Sequence, residues 1–242
     1  MEQIAICIIT HNHLFETKYF VQNLLLKTKH KYRLHILDNS SDDERVVEYL
    51  EQVAEDTKGY FHHAEEVMTQ GECLNHLLGS VYQEFLAFVP VNALINENWL
   101  IDLKTQYSTL NNSGVLAIRN GDEELALSPQ LHNTLNGHES ELLNVLTTKY
   151  YTVDNLIFFR KDLTLTLGPF ETDKLEAFEK KEFSFRAYLN GYVNHYINRQ
   201  IYFELPLEDS ILNRPITDEN EKNYKQHIDK IIRTKHKANV KL

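Results

Sequence analysis

The stretch "IAICIITHNH" at residues 4–13 decides the fold, because an unbroken apolar run passes directly into polar side chains. Isoleucine makes up most of the apolar part, and β-branched residues favour strands. A strand that is apolar at every position, without alternation, is typical of a parallel sheet covered on both faces. We therefore expect residues 4–10 to form a buried parallel strand that ends at His11.

Helix and strand patterns alternate along the chain beyond this strand. Apolar residues recur at helical spacing over 14–28, and the stretch "YRLHILDNSSDD" at 32–43 is a second strand pattern. Further elements follow in the same order: a helix at 43–55, a strand at 59–65, a helix at 70–83 and a strand from 85. This order predicts βαβ units, and hence a Rossmann-like, mainly parallel sheet flanked by helices.

The second half of the chain is less regular. We expect a helix at 98–110, a strand at 114–121, a surface excursion at 121–149, a strand running into a helix at 150–163, a helix at 173–192 stopped by Gly191 and a last strand at 198–206. Neither an internal repeat nor a low-complexity linker interrupts the sequence. The pattern therefore indicates one domain over 1–222, followed by a basic C-terminal helix or tail at 223–242.

Composition excludes several classes of protein. A net charge of −10 over 242 residues argues against a nucleic-acid partner, which needs clustered Lys and Arg. No run of about 18 apolar residues and no signal-peptide pattern occurs, so we expect a cytoplasmic protein.

Cys7 and Cys73 lack metal-ligand spacing and are predicted to be buried free thiols. The twelve histidines, His62 and His63 among them, form no metal motif and are interpreted as surface or strand residues.

Polar side chains follow three of the predicted strands, at residues 10–12, at residues 38–40 and at Asn92. Ligands of open parallel sheets bind outside the carboxyl ends of the strands, and these donors and acceptors suit a base and ribose. The motifs GxGxxG and GxxxxGK[ST] are both absent, which disfavours a dinucleotide fold and a P-loop. The alternative is that Asn and Asp at strand ends only cap turns and helices.

Taken in order, these stretches resemble the family 2 glycosyltransferases, which have the GT-A fold. The matching motifs are "IAICIITHNH", "LHILDNSSDD", "GECLNHLLGS", "NENWL", "IFFRKDLTLTLGPFE" and "EKKEFSFRAYLNGY", spread over roughly residues 4–205. The resemblance implies a nucleotide-binding half at 1–100 and an acceptor half at 101–222. It also implies a nucleotide pocket lined by Thr10, Asn12, Asp38 and Asn39, with Asn75 and Asn92 nearby.

The resemblance leaves the metal site open. Asn92 occupies the position of the last Asp of the family's DxD-type motif, which ligates a divalent cation on the donor phosphates. A neutral amide is a poor ligand for a hard cation, so we expect weak metal dependence. Glu204 in the last strand either restores a metal site with Asn92 or ends a solvated strand, and we favour the second.

The position of the catalytic base is also altered, since Lys180 aligns with the family's usual Asp. Glu182 and Glu179 remain as candidate bases, one helical turn apart on one face. The alternative is an exposed helix laced with Glu/Lys pairs. Arg186 either neutralises phosphate or pairs with Glu182, and the second is the commoner arrangement.

The resemblance implies an inverting glycosyltransferase that uses a nucleotide-sugar donor, most simply a UDP-sugar, and a glycan or lipid-linked acceptor. The alternative function is a non-catalytic GT-A-like protein that binds a nucleotide sugar or a partner transferase. The basic tail at 223–242 either contacts a membrane surface peripherally or forms a solvated terminal helix, and we favour the helix.

Overall fold

The structure is a computed structural model that describes residues 4–118, 156–172, 175, 178–197, 202–204 and 217–239. Its first half contains β1 (Ile4–Thr10), α1 (Leu14–Lys27), β2 (Arg33–Asp38), α2 (Glu44–Thr57), β3 (Tyr60–His63), α3 (Gln70–Ser80), β4 (Phe85–Phe88), β5 (Ala93–Ile95) and α4 (Trp99–Thr109). Its second half contains β6 (Ser113–Ile118), β7 (Ile157–Arg160), α5 (Leu163–Leu167), α6 (Glu179–Leu189), β8 (Val193–Ile197), β9 (Tyr202–Glu204) and α7 (Asp218–Asn239).

The described strands form a seven-stranded sheet in the order β3-β2-β1-β4-β7-β6-β8 and a two-stranded sheet of β5 and β9. Strand β1 pairs in parallel with β2 and β4, β2 with β3, and β6 with β8, whereas β7 is antiparallel to both neighbours. The predicted α/β class with a mixed, mainly parallel sheet is therefore confirmed. The chain order reverses between β1 and β4, and such a switch point opens a crevice at the strand ends.

The core lies where the unbroken apolar runs predicted it. All seven residues of β1 and all four of β4 are buried, because helices cover both faces of these central strands. The starts of α2 and α3 follow local signals as well. Asp43 caps α2 by accepting from the Arg45 N–H, and Thr69 and Glu72 form a capping box at the start of α3.

Two predictions in the second half need correction. The helix expected at 173–192 begins only at Glu179, since a turn in which the Phe178 N–H donates to the Leu175 carbonyl buries both side chains. The chain leaves this helix through Gly191 at φ 85° and forms β8, which the sequence patterns did not predict. Strand β5 was missed too, while the excursion expected at 121–149 lies outside the described residues.

The predicted C-terminal helix is present, but α7 starts at Asp218 and so crosses the expected boundary between residues 222 and 223. Tyr224 and Ile228 on one of its faces are buried in the body of the protein. The helix is therefore packed rather than wholly solvated, and the domain boundary itself stays a prediction. Within the described part of the chain, no helix combines the length and apolar character needed to cross a bilayer.

Candidate functional site

Three neighbouring strands end in one row of polar side chains. Thr10 of β1 lies opposite Asp38 of β2, and Asp38 lies opposite His63 of β3, at the carboxyl ends of all three parallel strands. We call Thr10, Asp38 and His63 the strand-tip row. The parallel register therefore gathers residues from three separate segments at the edge where open sheets bind ligands.

The Asp38 carboxylate is the centre of this row and is completely enclosed, with 0% of the residue exposed. Its Oδ1 accepts from the Thr10 hydroxyl at 3.0 Å and from the Ser41 hydroxyl at 2.5 Å. Its Oδ2 accepts from the Ser41 N–H at 3.0 Å and lies 2.8 Å from His63 Nδ1. A carboxylate offers about four acceptor sites, so protein groups occupy all of them.

The loops after β1 and β2 are bound to each other through Asn12. Its N–H donates to the Ser41 hydroxyl at 2.6 Å, and its side-chain oxygen accepts from the Asp42 N–H at 2.9 Å. Asn12 and Ser40 both adopt left-handed backbone conformations, with φ of 51° and 61°. Such conformations carry strain in residues other than glycine, and asparagine tolerates them best, so these loops are held in a defined shape.

Asn39 and Asn75, both expected at the nucleotide, pair with backbone instead of facing open space. The Asn39 amide donates to the Met68 carbonyl at 3.0 Å and accepts from the Met68 N–H at 2.8 Å. Asn75 makes the same two-bond contact with Phe170, at 2.9 and 2.8 Å. In this state the two amides therefore pin loops beside the strand ends.

Asn92 lies buried in the turn between β4 and β5, at the carboxyl end of β4. The next residue, Ala93, is the antiparallel partner of Glu204 in the small sheet. The backbone therefore brings Glu204 next to the Asn92 turn, as a shared metal site requires. Among the described residues, however, no group of three His, Cys, Asp or Glu side chains is arranged to hold a metal ion.

Glu179 and Glu182, which we call the acid pair, begin α6 and are each only 1% exposed. The exposed, solvated helix considered from the sequence is therefore wrong for these two side chains. Arg186 donates from Nε to Glu182 Oε1 at 2.6 Å, and its two remaining nitrogens donate to the carbonyls of Leu167 and Pro169. The ion pair considered from the sequence is confirmed, and it ties α6 to the loop after α5.

Helix α7 packs against the start of α6 and against Glu182. The Tyr224 ring stacks on Phe178 at 4.7 Å between centroids, and the Lys181 ammonium lies 5.3 Å from the Tyr224 ring. His227 Nε2 lies 3.5 Å from Glu182 Oε1. Burial, and then the nearby charge of Glu182, raise the pKa of the Tyr224 hydroxyl. Glu182 is thus enclosed by a segment that lies far from it in the sequence.

Helix α3 connects the two regions. A side chain on Gly71 would meet the Glu171 carbonyl oxygen at 2.5 Å and the Glu179 side chain at 3.3 Å, so only glycine allows this approach. One turn further along α3, Asn75 holds Phe170, whose ring packs 4.5 Å from Phe183 of α6. The first turn of α3 therefore lies directly beside the acid pair.

Three residues of these regions were not predicted from the sequence: Ser41, His63 and His227. A signal for His63 did exist, because pairing the ends of β1, β2 and β3 in register places it opposite Asp38. No sequence pattern indicated that His227 would reach Glu182. The expectation for the cysteines is confirmed: Cys7 and Cys73 are buried free thiols, and burial raises the pKa of Cys73 to about 12.

A comparison with known proteins found similar structures but no matching sequence. The chain matches no protein-family model and no curated protein. It is similar in structure to S. aureus TarS 1-349 in complex with UDP-GlcNAc, with a TM-score of 0.65 and 19% identity over 90% of this chain and 62% of that one. It is also similar to the mannosyltransferase PcManGT from Pyrobaculum calidifontis in complex with GDP-Man and Mn²⁺, with a TM-score of 0.63 and 14% identity over 84% of this chain and 56% of that one.

A third similar structure is GalNAc-T7 with UDP, GalNAc and Mn²⁺, with a TM-score of 0.63 and 14% identity over 81% of this chain and 42% of that one. The chain thus spans between 42% and 62% of the length of these three proteins. At such low identity the likeness concerns the fold. The order and direction of the strands, together with these structures, establish that the chain has the GT-A fold found in glycosyltransferases.

Proposed function

We propose that the protein is a glycosyltransferase that moves a sugar from a nucleotide-sugar donor to a glycan or lipid-linked acceptor. The observation that carries the proposal is the strand-tip row, which builds a polar edge at the ends of three parallel strands in a GT-A sheet. Open α/β sheets bind ligands at this edge. The UDP-GlcNAc complex of TarS and the GDP-Man complex of PcManGT support the class of donor.

The donor nucleotide would lie over the loops that Asn12 and Asn39 hold together, with the sugar toward the crevice between β1 and β4. Asp38 would then act by shaping the pocket, because its oxygens are already occupied by protein donors. We favour a UDP-sugar among the donors. The glycan or lipid-linked class of acceptor, and the cytoplasmic location with peripheral membrane contact through 223–242, stay predictions.

Transfer with inversion requires three linked events. The acceptor hydroxyl attacks the anomeric carbon, the bond from that carbon to the phosphate oxygen breaks, and a base takes the hydroxyl proton. Glu182 is our candidate base, with Glu179 as the alternative. Since Arg186 and α7 enclose Glu182, this role requires its ion pair to loosen and α7 to shift when the acceptor binds.

A resident divalent cation does not fit the described residues well. Asn92 supplies a neutral side chain at the position where the family places a carboxylate, and hard cations prefer charged oxygen ligands. No described cluster compensates for it. We therefore assign the protein no metal-dependent step, and we expect cationic or backbone groups to balance the charge of the diphosphate.

The alternative is a non-catalytic GT-A-like protein, and two observations favour it. The family resemblance aligns Lys180 with the usual base, and the remaining acids, Glu179 and Glu182, are each only 1% exposed. Such a protein would bind a nucleotide sugar, or a partner transferase, without turnover. The same strand-tip row would serve it, so binding alone does not separate the two functions.

The test combines binding with turnover. Thermal unfolding is measured with UDP-, GDP-, CMP- and dTDP-sugars, since a ligand at 100 times its Kd stabilises a protein by about 2.7 kcal/mol. Release of the free nucleotide is then followed with and without candidate acceptors. Binding with turnover supports the transferase, and binding without turnover supports the non-catalytic nucleotide-sugar binder. The absence of any binding contradicts both of these and leaves only the form of the alternative that binds a partner transferase.

A further inference from the structure

His63 is the one member of the strand-tip row that is open to solvent, with 38% of its side chain exposed. The sequence offered no role for it beyond that of a strand residue. It is the last residue of β3, the edge strand of the sheet. A ligand that approaches the ends of β1, β2 and β3 therefore meets His63 before it meets Asp38.

The hydrogen bond to Asp38 decides which nitrogen of His63 carries the proton. A carboxylate group only accepts hydrogen bonds, so the atom that faces Asp38 Oδ2 at 2.8 Å, His63 Nδ1, must be a donor. In the neutral imidazole the other nitrogen, Nε2, is then an acceptor. Asp38 in this way fixes both the tautomer and the orientation of the ring.

We propose that His63, rather than Asp38, reads the edge of the donor's nucleobase, accepting a hydrogen bond at Nε2. This inference rests on the proposed function, because it supposes that a nucleotide binds at the strand-tip row. Thr10, Ser41 and Asp38 are positioning residues in this arrangement. They hold the imidazole, and His63 makes the contact.

The tautomer selects among the bases. Uracil presents an N3–H donor between two carbonyl groups, whereas cytosine presents an unprotonated N3 and an amino group. An acceptor at His63 Nε2 pairs with the uracil N3–H and faces the lone pair of cytosine N3. The arrangement therefore favours UDP over CDP, two ligands with the same ribose and diphosphate.

The test measures the Kd of UDP and of CDP by calorimetry for the wild type, His63→Ala and His63→Phe. His63→Phe keeps Asp38 covered, so it separates the loss of the acceptor from the loss of the ring. The matched control is His62→Ala, since His62 is the preceding residue of β3, faces the other side of the sheet and stacks on His76 at 4.1 Å. A structural role would weaken UDP and CDP equally, so the ratio of the two Kd values is the deciding quantity.

For the wild type and His62→Ala, we expect the Kd of CDP to exceed that of UDP by about tenfold or more. For both His63 variants, the two Kd values should differ by less than about threefold, as the loss of one hydrogen bond predicts. A preference for UDP that persists in both His63 variants overturns the inference while leaving the proposed function intact. A wild type that binds both nucleotides equally also overturns it. A wild type that binds no nucleotide or nucleotide sugar overturns the proposed function, and the inference with it.

Discussion

The strand-tip row and the acid pair are both polar and buried, yet they are built in different ways. The row is assembled by strand register, and Thr10, Asp38 and His63 satisfy one another at an edge that remains open at His63. The acid pair is assembled by helix packing, and α7, from a distant part of the sequence, encloses Glu182.

Because of this difference in construction, only one of the two regions can act without a structural change. Under the proposed function, the strand-tip row could receive a ligand without rearrangement, because its polar groups are already positioned and the ring of His63 is accessible. The acid pair must first be uncovered before it can meet an acceptor. Donor binding and catalysis would therefore respond differently to substitutions, and four predictions test this, from the largest expected effect to the smallest.

Replacing Glu182 should have the largest effect of the four changes, and the effect should be on turnover. Glu182→Gln keeps the size of the side chain but removes its capacity to take a proton, so turnover should fall by about 10²–10⁴-fold with donor affinity nearly unchanged. The measurement is steady-state kinetics with the donor identified by binding. Glu179→Gln is the matched control, and we expect it to retain most of the activity. A large loss for Glu179→Gln alone would transfer the role to that residue.

Replacing the centre of the row should instead cost stability. Asp38→Ala removes the acceptor for the Thr10, Ser41 and His63 donors, and the unpaired groups should lower the free energy of unfolding by about 3 kcal/mol. Urea denaturation measures the change. Asp42→Ala removes an exposed carboxylate four residues away, and its effect should stay within about 0.5 kcal/mol. Equal effects of the two substitutions would mean that the Asp38 network contributes little.

Low pH should lower the free energy of unfolding through protonation of His35 in β2. Burial lowers the pKa of His35 to about 4, whereas an unfolded histidine titrates near pH 6.5. The unfolded chain binds this proton first, so the free energy of unfolding should be unaffected above about pH 6.5 and fall by about 2–3 kcal/mol as the pH drops to 4. Denaturation at several pH values should show a shallower decline for His35→Gln. Identical slopes for both proteins would exclude His35 as the cause.

Removing metal ions should have the smallest effect. With Asn92 at the end of β4, we expect a chelator to change the Kd of the nucleotide by less than about threefold, because a neutral amide holds a hard cation weakly. The measurement is calorimetry in the presence of EDTA and again with Mn²⁺. Asn92→Asp should increase the dependence on Mn²⁺. A steep loss of binding with EDTA in the wild type would point to Glu204 as the missing ligand.

Sequence reasoning reached further in the first half of the chain than in the second. The bounds of β1 and the order of elements from β1 to β4 followed from periodicity, because each element carries its own apolar pattern and α2 and α3 also carry side-chain caps. The second half contains an antiparallel strand, a late helix start and the strand β8, which was not predicted. The three-residue strand β5, between β4 and α4, was missed as well. Short strands have too few residues for a recognisable period, and their pairing depends on partners elsewhere in the chain.

The sequence by itself determined the class of sheet, the central strands and the polar residues at their ends, since local hydrophobic patterns and turn residues encode these features. Only the tertiary structure decided what those polar residues do. The strand register places His63 opposite Asp38, so that protein groups occupy the carboxylate. The packing of α7 encloses Glu182, which the sequence pattern alone would place on the surface. The physical reason is that hydrogen bonding and burial depend on neighbours in space, which a linear pattern does not specify.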